Sequence, residues 1–292
     1  MTNIHSTAII EKGAQIDQSV TIGPYTTIGS DVKIGSGNVI GPYCHIPGHT
    51  TIGRDNKFLA YCSVGTPPQD VGYKDEPTRL TIGDNNTFKE FVTLNRGTMK
   101  DRQETFIGNN NYLMAYAHVG HDSVLGNNII LANAVQVGGH VHIEDYAALG
   151  GMVGVHHLVT VGAHAFIGGI ARVIQDVPPY MIAEGHPAKV RALNVIGLGR
   201  RGFSDEVITA LEEAYKLIWR GKLTTAEAFQ KLLSPSPCGR SVNGVPIISG
   251  QGLGSSENKP CKEVQYLIKF LQNTRDGKHG RYRESLRKVP AR

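Results

Sequence analysis

Residues 4–52 read IHSTAI-IEKGAQ-IDQSVT-IGPYTT-IGSDVK-IGSGNV-IGPYCH-IPGHTT-I, nine isoleucines at intervals of six. Phe58 and Val64 continue the series. A second run steps by six from Ile107 through Leu113, Val119, Leu125, Leu131, Val137, Ile143, Leu149, Val155, Val161 and Ile167 to Val173. Between them Ile82, Phe88 and Leu94 keep the first phase, and one extra residue enters before Ile107. At 40% hydrophobic content, eleven consecutive hits have a chance probability of order 10⁻⁵ to 10⁻⁴. The residue four places after each aliphatic is usually small, as at Ala8, Ala14, Val20, Thr26, Cys44, Ala117, Val135 and Val153, and Gly often follows the aliphatic. A period of six excludes heptad coiled coils, and helix-pair solenoids have longer repeats. The pattern is that of a parallel β-helix, in which short strands stack coil on coil and each coil covers the next.

The rest of the composition agrees. Thirty-five glycines in 292 residues argue against a mainly helical protein, and the strict placement of apolar residues argues against disorder. A formal net charge of +5 without a basic concentration gives no reason to expect nucleic acid, though it suits anionic substrates or an acidic protein partner. No apolar run approaches membrane-spanning length, so no stable membrane insertion is expected. Four cysteines without a CxxC suit a reducing compartment, and with no signal-like start the expected location is cytoplasmic. Cys44 and Cys62, both at the small inward position, should lie in the core as small apolar residues.

The pattern breaks at 66–79 and 97–104, which read as side loops, the places where function concentrates. After Val173 the chain changes character. Asp176-Val177-Pro178-Pro179-Tyr180 is expected to close the prism. A helix is predicted from Ser204 to Arg220, capped by Ser204 and ended by Gly221, and a second from the capping box Thr224-x-x-Glu227 to about Leu233. A third short helix is expected near 262–272. The organisation is thus a β-helical domain over 1–190 and a helical C-terminal domain over 191–292, with a flexible Ser/Pro/Gly-rich linker at 234–260 and a basic tail from Lys278.

Histidines gather in the second run: His118, His121, His140, His142, His156, His157 and His164. None falls on an inward position of its hexad, so they should lie outside the prism. Three hexads per coil, the number implied by the likeness of these hexads to those of the hexapeptide-repeat acyltransferases, would put His121, Gly139 and His157 in one column and Asp122 beneath His140. Glycine between two histidines leaves an open notch with an accessible N–H, which suits a general base beside an oxyanion donor. His121-Asp122 is the sharpest local signal. A neutral imidazole can take a proton from a hydroxyl near pH 7 while a carboxylate orients its ring.

The hexads resemble those of the hexapeptide-repeat, left-handed β-helix acyltransferases. That resemblance implies the left hand, three hexads per coil, and a homotrimer with active sites between subunits. Longer matches narrow it: Ala117 to Asp122, Val137-Gly138-Gly139-His140, Gly150-Gly151-Met152, Val155-His156, Gln175 to Tyr180 and Arg200-Arg201-Gly202-Phe203-Ser204 resemble the bacterial UDP-N-acetylglucosamine acyltransferases over residues 1 to about 233. Gln69-Asp70 and Glu76-Pro77-Thr78-Arg79 fit the family's first side loop. The resemblance implies transfer of an (R)-3-hydroxyacyl chain from acyl carrier protein to the 3-hydroxyl of UDP-N-acetylglucosamine, the first step of lipid A synthesis, with no metal and no cofactor. It implies His121 as general base, Asp122 as its orienting partner and the Gly139 N–H as oxyanion donor. Gln69, Asp70, His118 and His140 would shape the substrate region, with His156 and His157 near it at the subunit boundary. Asn194, Arg200 and Arg201 would meet the nucleotide, where guanidinium forks suit a diphosphate. Gly169 falls where the family measures acyl length.

Three positions depart from the family pattern: Asn95 in place of a histidine, Gly72 in place of a lysine with Lys74 two residues on, and Ile196 in place of an acidic residue. They leave open an acceptor sugar with nitrogen at position 3. A zinc-dependent hydrolyase of the hexapeptide-repeat carbonic anhydrase type is the alternative from another class, since three histidines from two subunits could bind zinc. A structural scaffold would show no selectivity for a nucleotide sugar.

Overall fold

The computed structural model describes residues 3–234, 241–242, 245–246, 260–278 and 280. They divide into two compact units, Met1–Asn194 with the chain from Asn273 onward, and Val195–Gln272.

In the first unit most hexads contribute a strand of two to four residues. The strands stack into three sheets of eleven, nine and eight members. The first sheet begins with Asn3–Ile4 and Thr21–Ile22, the second with Ile9–Ile10 and Thr27–Ile28, and the third with Gln15–Ile16 and Val32–Ile34. Pairing is parallel and brings aliphatic onto aliphatic, Ile4 on Ile22, Ile10 on Ile28 and Ile16 on Ile34. The sheets close into a left-handed parallel β-helix of three faces, the fold class implied by the hexads. One aliphatic per hexad fills the interior, from Ile22 through Val173, each at most 4% exposed. Removing such a side chain from water contributes about 1.5–3 kcal/mol. Phe58 and Phe88 stack within it at 4.6 Å. Cys44 and Cys62 are buried in this core as expected.

Corners are the costly part of each hexad, because the chain must turn about every six residues. The residue three places after the aliphatic has a positive φ at almost every corner, including Tyr25, Tyr43, Tyr61, Phe91, Tyr116, Asp122, His140 and Met152. Left-handed backbone costs a non-glycine residue about 1–2 kcal/mol. The corner N–H offsets part of this by bonding to the preceding coil, as in Tyr43 N to Pro24 O at 3.0 Å and His140 N to His121 O at 2.8 Å. At the edge between the third and first sheets a buried asparagine ladder does the same. Asn86 donates to Asn56 Oδ1 and Gly108 O, and its own Oδ1 accepts from Asn111 N.

The side loops, expected at 66–79 and 97–104, run over 67–78 and 96–103 because Thr66, Arg79 and Glu104 belong to strands, and both are length insertions into this stack. Coil spacing is 18 at Asn38/Asn56, becomes 30 at Asn56/Asn86, then 25 at Asn86/Asn111. The first insertion is a multiple of six, which explains why Ile82 keeps the earlier phase. The second is not, so the phase shifts at Ile107.

After Tyr180 the structure differs from the expected closure. Met181–Gly185 adds one more parallel strand to the first sheet against Phe166–Ile167, and Ala188–Leu193 then returns antiparallel to it. The second unit holds α1 (Val195–Arg200), α2 (Asp205–Tyr215) and α3 (Thr225–Leu233). The helix predicted over 204–220 ends in a π-helical turn, Lys216–Arg220, and Ser204 makes no side-chain cap bond. The Thr224/Glu227 capping box forms as predicted. Helix α4 spans Lys262–Arg275, three residues beyond the expected end. Most of the 234–260 linker and of the basic tail lies outside the described residues, apart from a short antiparallel pair, Ser241–Val242 with Val245–Pro246.

Candidate active site

Topology collects the candidates on one edge. His121 and Asp122 connect His118–Val119 of the second sheet to Val124–Leu125 of the third, and Gly139 and His140 do so one coil later. His156 and His157 follow on the next coil, while the side loops after Thr66 and Asn95 leave from the same edge on earlier coils. Both insertions and five of the histidines therefore border one strip of surface.

Its centre is a hydrogen-bonded cluster. His121 Nδ1 lies 2.9 Å from Asp122 Oδ2, and Asp122 is fully buried. The Asp122 carboxylate accepts from Thr98 N at 2.9 and 3.0 Å and from Thr98 Oγ1 at 2.6 Å. A buried carboxylate needs such donors to stay charged. Because a carboxylate accepts only, it fixes the His121 proton on Nδ1 and leaves Nε2 basic. Gly139 packs against that nitrogen, and a Cβ added there would sit 2.7 Å from His121 Nε2 and 2.6 Å from Cε1. Only glycine fits. Its N–H is not among those taken by a neighbouring coil, whereas Gly138 N and His140 N both are.

Around this pair, His140 is 4% exposed, its Nδ1 2.8 Å from Asp101 Oδ2 and its ring edge-on to His121 at 4.9 Å. It is a packed group. His118 Nδ1 lies 2.8 Å from Thr93 Oγ1, and burial, with the nearby His121, lowers its pKa below the ordinary histidine value. Asp70 is paired to Lys100 Nζ at 2.6 Å and accepts from Gly72 N at 2.8 Å, contacts that hold its carboxyl below the usual range. Gln69 is exposed on the same loop. The His156 and His157 rings lie 4.0 Å apart, tilted by 38°. Beside them a hollow of about 310 Å³ runs along the second sheet between His118, Gln136, Gly154, His156 and Arg172, and a Cβ at Gly154 would meet nothing within 4 Å.

The remaining predicted residues lie elsewhere. Gly169 sits exposed on the edge between the first and second sheets. Asn194 lies at the edge between the third and first, its Nδ2 donating to His164 O at 3.0 Å. Arg200 ends α1 in the helical unit and Arg201 follows it, both exposed. Thr98, Lys100 and Asp101 were not singled out by sequence reasoning, because they lie on an irregular loop with no register to place them.

Residues 31–66 match the bacterial transferase hexapeptide family, and 176–279 match the second domain of UDP-N-acetylglucosamine O-acyltransferase. A relative from Herminiimonas arsenicoxydans named acyl-(acyl-carrier-protein)–UDP-N-acetylglucosamine O-acyltransferase is 50% identical over 234 residues, covering 80% of this chain and 89% of the relative. The relative of the same name from Burkholderia orbicola is 49% identical over 228 residues, covering 78% and 87%. This chain belongs to the UDP-N-acetylglucosamine O-acyltransferase family. The crystal structure of a family member from Bacteroides fragilis superimposes with a TM-score of 0.83 at 34% identity, covering 94% of this chain and 98% of that one. These relatives support neither the zinc-hydrolyase nor the amino-sugar alternative. In the present chain the donor atoms of His121, Asp122 and His140 fall within 4.8 Å of one another, and the Asp122 carboxylate is hydrogen-bonded by Thr98 and His121.

Proposed function

We propose that this chain transfers an (R)-3-hydroxyacyl group from the thioester of acyl carrier protein to the 3-hydroxyl of UDP-N-acetylglucosamine, the first step of lipid A synthesis. The observation that carries the reading is the His121–Asp122 pair closed against Gly139 in a chain of this family. His121 Nε2 takes the sugar hydroxyl proton as that oxygen attacks the thioester carbonyl. Asp122 stabilises the imidazolium, and the Gly139 N–H receives the oxyanion. Collapse of the intermediate expels the carrier thiolate, which takes the proton from His121. The product is an ester and a free thiol.

His118, His140, Gln69 and Asp70 are assigned to the substrate region, and the hollow between His118, Gly154 and His156 offers room for an extended donor arm. Asn194, Arg200 and Arg201 are assigned to the nucleotide, with His156 and His157 at the boundary and Gly169 at the end of the acyl chain. Gly169 and Asn194 stand on edges of the prism other than the one that carries His121. Joining either of these two to His121 takes more than one copy, and we assign a homotrimer. An exposed ladder of stacked Tyr25, Tyr43, Tyr61, Phe91 and Tyr116 along the first–second edge gives such an assembly an apolar seam. Among the described residues no helix is long and apolar enough to cross a membrane, and the location we assign is the cytoplasm.

The test is to incubate the purified chain with 3-hydroxyacyl carrier-protein thioesters of several lengths and either UDP-N-acetylglucosamine or its 3-amino analogue. An ester product from the hydroxyl sugar supports the reading. Turnover confined to the amino sugar, or to coenzyme A thioesters, contradicts it.

A further inference from the structure

The second side loop, 96–103, shifts the coil spacing to 25 and breaks the hexad phase. Its neck is tightly made. Arg96 N donates to Thr66 O, Gly97 N to Arg79 O and Arg79 N to Gln103 O, all within 3.0 Å. A Cβ at Gly97 would lie 2.2 Å from Glu104 N, so the neck closes only around glycine. From this base three side chains each grip a different group of the histidine strip. Thr98 holds Asp122, Lys100 holds Asp70, and Asp101 holds His140. Of the three, Asp101 has the most specific chemical consequence.

We infer that Asp101 is a positioning residue for acyl transfer, acting through His140, and that the second side loop exists to deliver it. The inference rests on the acyltransferase reading above. The His140 imidazole has two nitrogens and two neutral tautomers, and its Nδ1 lies 2.8 Å from Asp101 Oδ2 but 3.8 Å from Asp122 Oδ2. Asp101 is therefore the nearer carboxylate, and as an acceptor it holds the ring proton on Nδ1. The acceptor role on the ring then falls to Nε2. The same contact fixes the plane of a ring packed edge-on against His121. Losing it leaves His140 in place but with an undefined tautomer, and a misoriented polar group beside the reacting atoms costs rate more than binding.

The experiment is a double-mutant cycle on the full chain. Asp101→Asn, Asp101→Glu, His140→Ala and the Asp101→Asn/His140→Ala pair are compared with wild type for kcat, KM for each substrate, melting temperature and oligomeric state. We expect Asp101→Asn to lower kcat about tenfold with both KM values within about threefold of wild type. Asp101→Glu should recover part of the rate. In the His140→Ala background the Asp101 change should cost less than about twofold. Asp101 is one-third exposed on a loop, so folding should survive, and the melting temperature reports whether it does. An unchanged kcat in Asp101→Asn, or a tenfold loss that persists without His140, overturns the inference. Wild-type chain with no transfer activity overturns the acyltransferase reading itself, and this inference with it.

Discussion

At the scale of single residues the account is a proton path one imidazole long. Asp122 sits at a positive-φ corner, fully buried, and its charge is held by Thr98 rather than by water. Gly139→Ala would push a methyl carbon into His121 at 2.6–2.7 Å. The expected result is a loss of about a hundredfold or more in kcat, with the prism still folded by circular dichroism. His118 gives a pH prediction. Its folded pKa lies below its ordinary value of 6.5, chiefly through burial. The unfolded chain then takes up the proton first, so wild type should lose stability as pH falls through about 6.5. His118→Gln should lose less between pH 7.5 and 5.5 in thermal melts, and equal losses in the two proteins would refute that assignment. The nearness of Gly139 to His121 and of Asp122 to His140 was legible from sequence, because the register of eighteen that came with the family resemblance puts each pair in one column. Asp101 and Thr98 were not, because their contacts cross from an irregular loop to a corner and follow no period.

Elements add the distinction between what holds the prism and what the loops are for. The asparagine ladder is structural. Asn86→Ala would leave the Asn111 N–H and Gly108 carbonyl without their buried partner, at a cost of about 1–3 kcal/mol. Urea unfolding should show it without change in KM. The second side loop should behave in the opposite way. Deleting 97–103 returns the local spacing from 25 to the ordinary 18, so the stack can continue uninterrupted. We expect a stack that still folds, with a lower melting temperature because buried Asp122 loses its Thr98 donors, and activity reduced at least about a hundredfold, since Asp122, Asp70 and His140 each lose a partner. Retained activity would show that the loop is an ornament. The helix boundaries teach a smaller lesson. Capping at Thr224 was readable from four residues, but the π-helical turn at Lys216–Arg220 was not, since the apolar spacing there suits a simple helix.

For the whole molecule the strict hexad repeat leaves little freedom. Interior, corner and outward positions are fixed by one number, and the fold class followed from that number with little help from other signals. The hand did not. It came with the family resemblance, as ordinary crossovers run the other way. The extra strand after Tyr180 was also invisible, because the hexad pattern ends before it. The aromatic ladder is a consequence of the repeat, one ring per coil with centroids 4.8–5.1 Å apart. A surface with that spacing matches another prism of the same rise lying parallel to it. Phe91→Asp, placing a charge in the middle of the ladder, should shift light-scattering mass from trimer toward monomer and lower activity with it. An unchanged trimer would place the seam elsewhere.

The central claim is that His121, oriented by Asp122 and closed against Gly139, is the base for acyl transfer. The measurement that tests it most directly is kcat/KM for UDP-N-acetylglucosamine with a 3-hydroxyacyl carrier-protein donor, in wild type and in His121→Ala of matched oligomeric state. The account predicts ready turnover by wild type and a loss of about 10²–10⁴ in the variant. A variant within threefold of wild type would contradict it.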